Sequence, residues 1–436
     1  MLAYPKNIIF DYKRYKLYNQ FMNKINKDWK EVKLGDIGVF LRGFGISKKD
    51  LSDSGTPAIR YGDIYTKYDF IIKNISSFTN SKGTELKKGD ILFAGSGETI
   101  AEIGKSVAFI DDFKALAGGD IIIFRPSIEL DSAFLSYMLN TGKCRRDISV
   151  MGQGVIIAHI SSKSLQKLSV FLPSLEEQKR IASALSKIDA YLENTIKLIE
   201  EKERFKRGIA KKLLTCKEGE NIPEARFKGF NDDWRKEKLS SMIKIQGGYA
   251  FKSSEFKKSG IPIIRISNIS NTDNNMNMKE VVYYNEIENE KSFIIKKSDL
   301  LIALSGAPGK SSIYNLEEKA YLNQRVGLFK IIDTKKINNS FLSQYVFSSI
   351  FQNKLKPFIT RGVQPNISPK DIENLDILLP SLKEQEKIGG YLSLLDKEID
   401  NLKKQKELIK EMKRGAMQKL LSGEVRLSKN AFNENI

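Results

Sequence analysis

The sequence predicts an α+β protein written as two copies of one unit. Each copy is a mixed α/β domain followed by a long helix, with the two helices forming an antiparallel coiled coil between pseudo-twofold copies. Three observations predict this: an internal repeat at a nearly constant offset, short apolar runs bounded by turn residues, and a proline-free heptad segment closing each copy.

The repeat is the primary signal. Trp29-Lys30-Glu31-Val32-Lys33-Leu34 matches Trp234-Arg235-Lys236-Glu237-Lys238-Leu239, and Gly55-Thr56-Pro57-Ala58-Ile59-Arg60 matches Gly260-Ile261-Pro262-Ile263-Ile264-Arg265, both at an offset of 205. Lys87 to Leu92 pairs with Lys296 to Leu301 at 209, and Gly104-Lys105-Ser106 with Gly309-Lys310-Ser311 at 205 again, so loop lengths differ between. Leu172-Pro173-Ser174-Leu175 and Leu379-Pro380-Ser381-Leu382, each continuing to Glu-Gln, close the repeat at 207. The resulting divisions are an extension at 1–25, a first domain at 26–174, a helix and linker at 175–221, a second domain at 222–380, a second helix at 381–422 and a tail at 423–436.

Within the domains, Asp120-Ile121-Ile122-Ile123-Phe124 and Asp299-Leu300-Leu301-Ile302-Ala303 are apolar runs of strand length flanked by Gly, Ser, Asn and Asp. The segments Ser132 to Leu139 and Ser340 to Phe347 read as helices. Ser174 and Ser381 stand after proline with Glu177 and Glu384 three residues on, the pattern of a capping box opening a helix. Beyond them Ile181, Leu185, Ile188, Leu192, Ile199, Ile209 and Leu213 fall on alternating four- and three-residue steps, with some positions of the register skipped. Ile388, Leu392, Leu395, Ile399, Leu402, Ile409, Ala416 and Leu420 do the same. Each helix would run about 40 residues, roughly 60 Å. One such helix could lie on a surface; two equivalent ones have an obvious partner in each other.

Composition narrows the function. The 436 residues carry a formal charge of +19, divided almost evenly between the halves, so no single basic tail is its source. A cationic surface attracts polyanions, with DNA phosphates the first candidate, while a lysine-heavy genomic bias is the alternative. No apolar stretch approaches the roughly 18 residues of a membrane helix, and the N-terminus lacks a secretion signal, which points to a cytoplasmic protein without membrane contact. Cys144 and Cys216 stand too far apart in sequence to suggest a disulfide framework or a zinc site, and His159 is the only histidine. Ser305-Gly306-Ala307-Pro308-Gly309-Lys310-Ser311 resembles a phosphate loop, but Leu304 stands where the Walker pattern needs glycine. It reads as a Gly-rich turn after a strand, or as backbone approaching DNA phosphate, with Lys105 and Lys310 at the repeated Gly-Lys-Ser. No amino-methylation motif and no dinucleotide fingerprint occurs. The chain is thus expected to hold no catalytic residue, no metal and no cofactor of its own.

A duplicated mixed domain followed by a long helix opening Leu-Pro-x-Leu-x-Glu-Gln resembles the specificity subunit of type I restriction–modification systems over roughly 26–425. Pro223-Glu224-Ala225-Arg226-Phe227, followed by Trp234, is similar to that family's lead-in to its second recognition domain; the first copy keeps Trp29 but lacks the lead-in. The resemblance implies two target-recognition domains reading the halves of a bipartite double-stranded DNA site, with a helical spacer between. It implies two methyltransferase subunits and two restriction–translocase subunits as partners, to which S-adenosylmethionine, ATP and Mg would belong.

Base edges are read by donors and acceptors on loops, whereas phosphate contacts only position the protein. Candidates in the first domain are Arg42, Lys48, Arg60, Lys105, Gln153 and His159. Those in the second are Lys252, Arg265, Lys310, Asn323, Gln324, Arg325, Arg361, Gln364 and Asn366. The loop 360–366 concentrates donors, and His159 and Asn366 occupy matching places. Arg60 and Arg265 are repeat-equivalent, which suits phosphate contacts or structural pairs better than base contacts. A coiled-coil adaptor for protein partners is the main competing reading, and a single-chain restriction enzyme a further one.

Overall fold

The computed structural model describes residues 28–154, 157–269, 276–287, 292–359 and 365–427. The chain divides into two compact units: Met1–Thr195 with Gln405–Ile436, and Ile196–Lys404.

In the first unit, β1 (Lys30–Lys33) leads into β2 (Gly38–Arg42), β3 (Ile91–Ala94), β4 (Ser106–Ala108) and β5 (Ile121–Pro126). These are followed by α1 (Ser132–Leu139), β6 (Ser169–Leu172) and the long helix α2 (Leu175–Leu214). The principal sheet is antiparallel in the order β2-β5-β3-β4. Its apolar runs are continuous because both faces are buried, and the period of two sorts them. Ile91, Phe93, Ile122 and Phe124 enter one core with α1 and the start of α2, while Leu92, Ala94, Ile121 and Ile123 enter another under the small sheet containing Thr56–Ile59. β1 pairs with β6 from Lys30↔Leu172 to Lys33↔Ser169, so the domain's first strand lies beside its last.

The second unit repeats this with β7 (Arg235–Lys238), β8 (Ile243–Gly247), β9 (Leu300–Ala303), β10 (Ser311–Ile313), β11 (Val326–Ile331), α3 (Asn339–Phe347), β12 (Asp376–Leu379) and α4 (Leu382–Leu421). The order β8-β11-β9-β10 reproduces the first sheet, β7 pairs with β12, and alternate residues of β9 and β11 again divide between two cores. The two mixed domains and two 40-residue helices predicted from the repeat are all present.

In each unit a stretch of α2 runs antiparallel to a stretch of α4. In the first, Asp189 pairs with Lys413 at 2.5 Å, and Ile181 and Leu185 share a core with Met417 and Leu420. In the second, Lys202 pairs with Glu398 at 2.7 Å, Lys206 pairs with Asp396, and Leu213 packs with Ile388 and Leu392. The heptad seam is therefore not wholly apolar. Asp189 also accepts from the Tyr137 hydroxyl at 2.6 Å, and Asp396 from Gln344 Nε2 at 2.7 Å, which ties the helix pair to α1 and to α3.

The Leu-Pro-x-Leu-x-Glu-Gln entrance does more than the capping box expected of it. The Glu177 and Glu384 N–H groups lie 3.4 Å from Ser174 Oγ and Ser381 Oγ, but the carboxylates are taken by arginines. Glu384 accepts from Arg226 Nε and Nη2, both at 2.8 Å. Glu177 accepts from Arg426 Nε and Nη2 at 3.0 and 2.7 Å. Arg226 sits in Glu224-Ala225-Arg226-Phe227 and Arg426 in Glu424-Val425-Arg426-Leu427, so the lead-in missing before the first domain is supplied by the segment after α4. Gln178 and Gln385 complete the joint, donating to Pro173 O and Pro380 O and accepting from the N–H of Asp131 and Asn338, the helix N-cap residues of α1 and α3.

Candidate nucleic-acid interface

One edge of each principal sheet gathers the loops. In the first domain β2 ends at Arg42, β3 ends at Ala94 and β5 begins at Ile121, and backbone bonds lace the loops at these strand ends. Gly43 N donates to Ile121 O (2.8 Å), Gly119 N to Gly45 O (2.6 Å), Gly95 N to Asp120 O (2.7 Å) and Ile160 N to Gly95 O (3.0 Å). Ser96–Gly97 then pairs with Ala158–His159. The second domain is laced alike. Tyr249 N donates to Leu322 O (2.8 Å), Gln324 N to Tyr249 O (3.0 Å), Leu304 N to Arg325 O (2.9 Å) and Ile367 N to Leu304 O (2.9 Å), with Ser305 bridged to Asn366. His159 against Ser96 and Asn366 against Ser305 are the same position in the two copies.

Four first-domain candidates stand exposed here. Arg42 closes β2 and Lys48 follows in the same loop. Gln153 and His159 exchange backbone bonds of 2.9 and 2.7 Å, which sets them side by side, and His159 Nδ1 lies 3.0 Å from Ser96 Oγ. In the second domain Lys252, Gln324, Arg325 and Asn366 are exposed at the matching edge, Lys252 beside Glu255 at 3.6 Å. Asn323 is buried, its Oδ1 accepting from Arg325 N at 3.4 Å. Arg361 and Gln364 lie outside the described residues.

The remaining candidates are drawn inward. Arg60 Nη2 holds Asp63 Oδ1 at 3.2 Å, and Asp63 is buried, accepting from Arg60 N as well. Arg265 donates from Nη2 to Glu280 O at 3.0 Å and lies over the Phe256 ring at 5.9 Å, while Asn268 takes its N–H. Lys105 Nζ donates to Tyr68 O at 2.6 Å, and burial holds its pKa below the usual lysine value. Lys310 is half-buried and bonded through its backbone: Ala303 N donates to Lys310 O as Ala94 N does to Lys105 O. The repeated Gly-Lys-Ser is thus the turn joining β3 to β4 and β9 to β10. Its glycines, Gly104 at φ +68° and Gly309 at +91°, take the left-handed backbone the turn requires.

Two aromatic residues at these edges escaped a search confined to Arg, Lys, Asn, Gln and His. Phe44 is 65% exposed and Tyr249 49%, and they are equivalent at the 205-residue offset. Their repeat equivalence was the available signal. Among the described residues no cluster of His, Cys, Asp and Glu could hold a metal ion, and no helix is long and apolar enough to cross a membrane.

Comparison with known proteins bears on these doubled edges. The family model of the type I restriction modification DNA specificity domain matches the chain twice, over residues 26–201 and 231–411. The chain belongs to the family of type I restriction–modification specificity subunits. As a family member it is 28% identical over 418 residues to the type I restriction enzyme MjaVIII specificity subunit of Methanocaldococcus jannaschii, spanning 94% of this chain and 96% of that protein. To the EcoKI specificity subunit of Escherichia coli K12 it is 23% identical over 404 residues, spanning 87% and 86%. The crystal structure of the type I S subunit from M. genitalium shares the fold of this specificity subunit, with a TM-score of 0.60 at 19% identity over 91% of this chain and 96% of that one.

Proposed function

We propose that each domain reads one half of a bipartite double-stranded DNA site and that the chain directs its partners there without catalysing any step. The observation that carries this is the pair of edges: one scaffold, two sets of side chains. Arg42, Lys48, Gln153 and His159 stand at the first edge, and Lys252, Gln324, Arg325 and Asn366 at the second. Equivalent backbones with different donors suit two different base sequences in the major groove, where donor and acceptor patterns distinguish all four base pairs. The inward-held Arg60, Arg265, Lys105 and Lys310 set the loops, while the net charge of +19 supplies the sequence-independent attraction to phosphate. Arg361 and Gln364, outside the described residues, belong to the same set of proposed contacts.

Two methyltransferase subunits would bring S-adenosylmethionine, and two restriction–translocase subunits ATP and Mg, the complex working in the cytoplasm. In this reading the specificity subunit binds and orients, and all bond-making lies with the partners. The test is a subunit dependence. The chain alone neither methylates nor cuts DNA; with its cognate methyltransferase and S-adenosylmethionine it yields methylated adenines in one split sequence. Methylation by the chain alone, or methylation scattered without a shared sequence, overturns the proposal.

A further inference from the structure

We propose that Phe44 and Tyr249 are the apolar wedges of the two reading edges: each ring presses on a base step in its own half-site and partly unstacks it. The proposal rests on the reading of the edges as a DNA interface and adds to it the element that deforms the duplex. An aromatic ring left in water is unfavourable, and the fold does this twice, at the same position.

The loops hold the rings outward by construction. Around Phe44, a Cβ on Gly43 would stand 1.9 Å from Gly118 O, so only glycine lets the backbone dock there. Gly45 turns at φ +60° with Lys82 O where its Cβ would be, and Ile46, at φ 52°, plugs the core with its side chain. Phe44 N and Gly45 O are bonded to Ala117 O and Gly119 N. The backbone is pinned before and after the ring, and in the run Gly43-Phe44-Gly45-Ile46 the phenyl group alone projects. Tyr249 is mounted alike. Gly248 packs where a Cβ would lie 2.2 Å from Leu322 O, and Phe251, the counterpart of Ile46, is buried. Phe293 stacks on the tyrosine at 5.0 Å and 29°, supporting one side of the ring and leaving the other half in solvent. A ring backed by a second ring offers a base a rigid surface at little entropic loss, since it has few rotamers to surrender.

The neighbours select nucleic acid. Cations lie close by in the chain: Arg42 ends β2 two residues before Phe44 and Lys48 follows four after it, while Lys252 follows Tyr249 by three and Arg325 stands two beyond Asn323, the residue bridged to Tyr249. Cations near an exposed ring can hold phosphates while the ring unstacks a base step, and apolar side chains inserted between bases kink a duplex in this way. Such bending makes the half-site sensitive to the flexibility of steps that no donor touches.

The experiment uses the full chain assembled with its methyltransferase, on a duplex carrying the mapped site. 2-Aminopurine replaces each half-site adenine in turn, the methylated ones excepted. With the native chain, fluorescence rises at one step in each half. Phe44→Ala abolishes the rise in the first domain's half alone and weakens specific binding about tenfold, the loss of a base-stacking contact. Tyr249→Ala does the same in the other half, and Phe44→Leu, which keeps an apolar side chain, retains part of both effects. Unchanged melting and unchanged affinity for unrelated DNA show that the variants remain folded and charged. If the native complex binds its site with fluorescence unchanged by either alanine, the wedge is wrong while the DNA reading stands. If the alanine variants instead lose the methyltransferase and keep the fluorescence, the rings belong to a protein interface. A native complex with no preferred sequence overturns both.

Discussion

Replacing Arg226 with alanine should loosen the entrance of α4 by far more than an exposed salt bridge would. The Glu384 carboxylate is 1% exposed and takes two bonds of 2.8 Å from one guanidinium, which also donates to Asp232 O. The side-on hydrogen bonds to Glu384 raise the arginine's pKa above its ordinary value, so the guanidinium stays charged. Alanine would leave a carboxylate in the interior with its partner gone, a loss of about 3–5 kcal/mol. The measurable quantity is amide exchange over the first turns of α4, residues 383–392, with residues 176–185 of α2 as internal control. Local opening should accelerate about 100-fold or more at the first site, each 1.4 kcal/mol being a factor of ten, and leave the control unchanged. Converting both partners, Arg226→Met with Glu384→Gln, removes the stranded charge and should restore most of the protection, since exchanging a buried pair for neutral groups is often nearly neutral. Exchange over 383–392 that stays within threefold of native in Arg226→Ala would refute the reasoning. It would mean that Gln385 and the apolar contacts hold the helix entrance without the clamp.

Asp189→Ala leaves the Lys413 ammonium, whose side chain is 11% exposed, with only Asp69 at 3.9 Å and the Phe70 ring at 4.5 Å, takes the acceptor from the Tyr137 hydroxyl, and should lower the thermal midpoint by an amount equivalent to about 3 kcal/mol; Asp189→Leu with Lys413→Met should recover most of it. Gly43→Ala forces the Phe44 loop off Gly118 O and should weaken methylation through the first half-site alone, whereas Gly62→Ala, with open space around it, should leave methylation as native, as methylation assays on mapped sites would show. Burial pushes the Cys144 thiol up to about 12, so at pH 8 it stays protonated; iodoacetamide should modify it only as fast as the domain opens, as peptide mass spectrometry with and without denaturant would show.

Much of the architecture could be read from the chain because it depends on periodicity. Leu175–Leu214 and Leu382–Leu421 follow from their Pro-Ser entrances and the alternating four- and three-residue steps that begin Ile181, Leu185, Ile188 and Ile388, Leu392, Leu395, and the apolar run Ile121 to Phe124 of β5 follows from burial on both faces. Contact between positions far apart in sequence resisted reading. Glu177 and Glu384 fit a local capping pattern, yet their carboxylates meet arginines 249 and 158 residues away, and no local rule carries that information. The seam hid its charges for the same reason: Asp189 and Lys413 are ordinary exposed-face residues until the two helices and Tyr137 are brought together. At the loop edges of the two sheets, side-chain type marked Arg42, Gln324 and Arg325 and also the inward-facing Lys105 and Arg60, because composition does not tell which way a side chain faces. The hydrophobic Phe44 was overlooked through the opposite assumption, that an apolar residue belongs inside.

The ribbons β1–β6 and β7–β12 have a consequence for how such a gene can change. They bring the start and finish of each domain to neighbouring backbone positions, Lys30 beside Leu172 and Arg235 beside Leu379. Each domain enters after tryptophan and leaves into the identical tetrapeptide Leu-Pro-Ser-Leu. The coding segments for those junctions give recombination two in-frame crossover points inside one gene. An exchange there joins one domain's last strand to the other's helix through the same four residues. A lineage could thereby acquire a new reading edge in a single genetic event, while point substitution of the loops would have to pass through many intermediates.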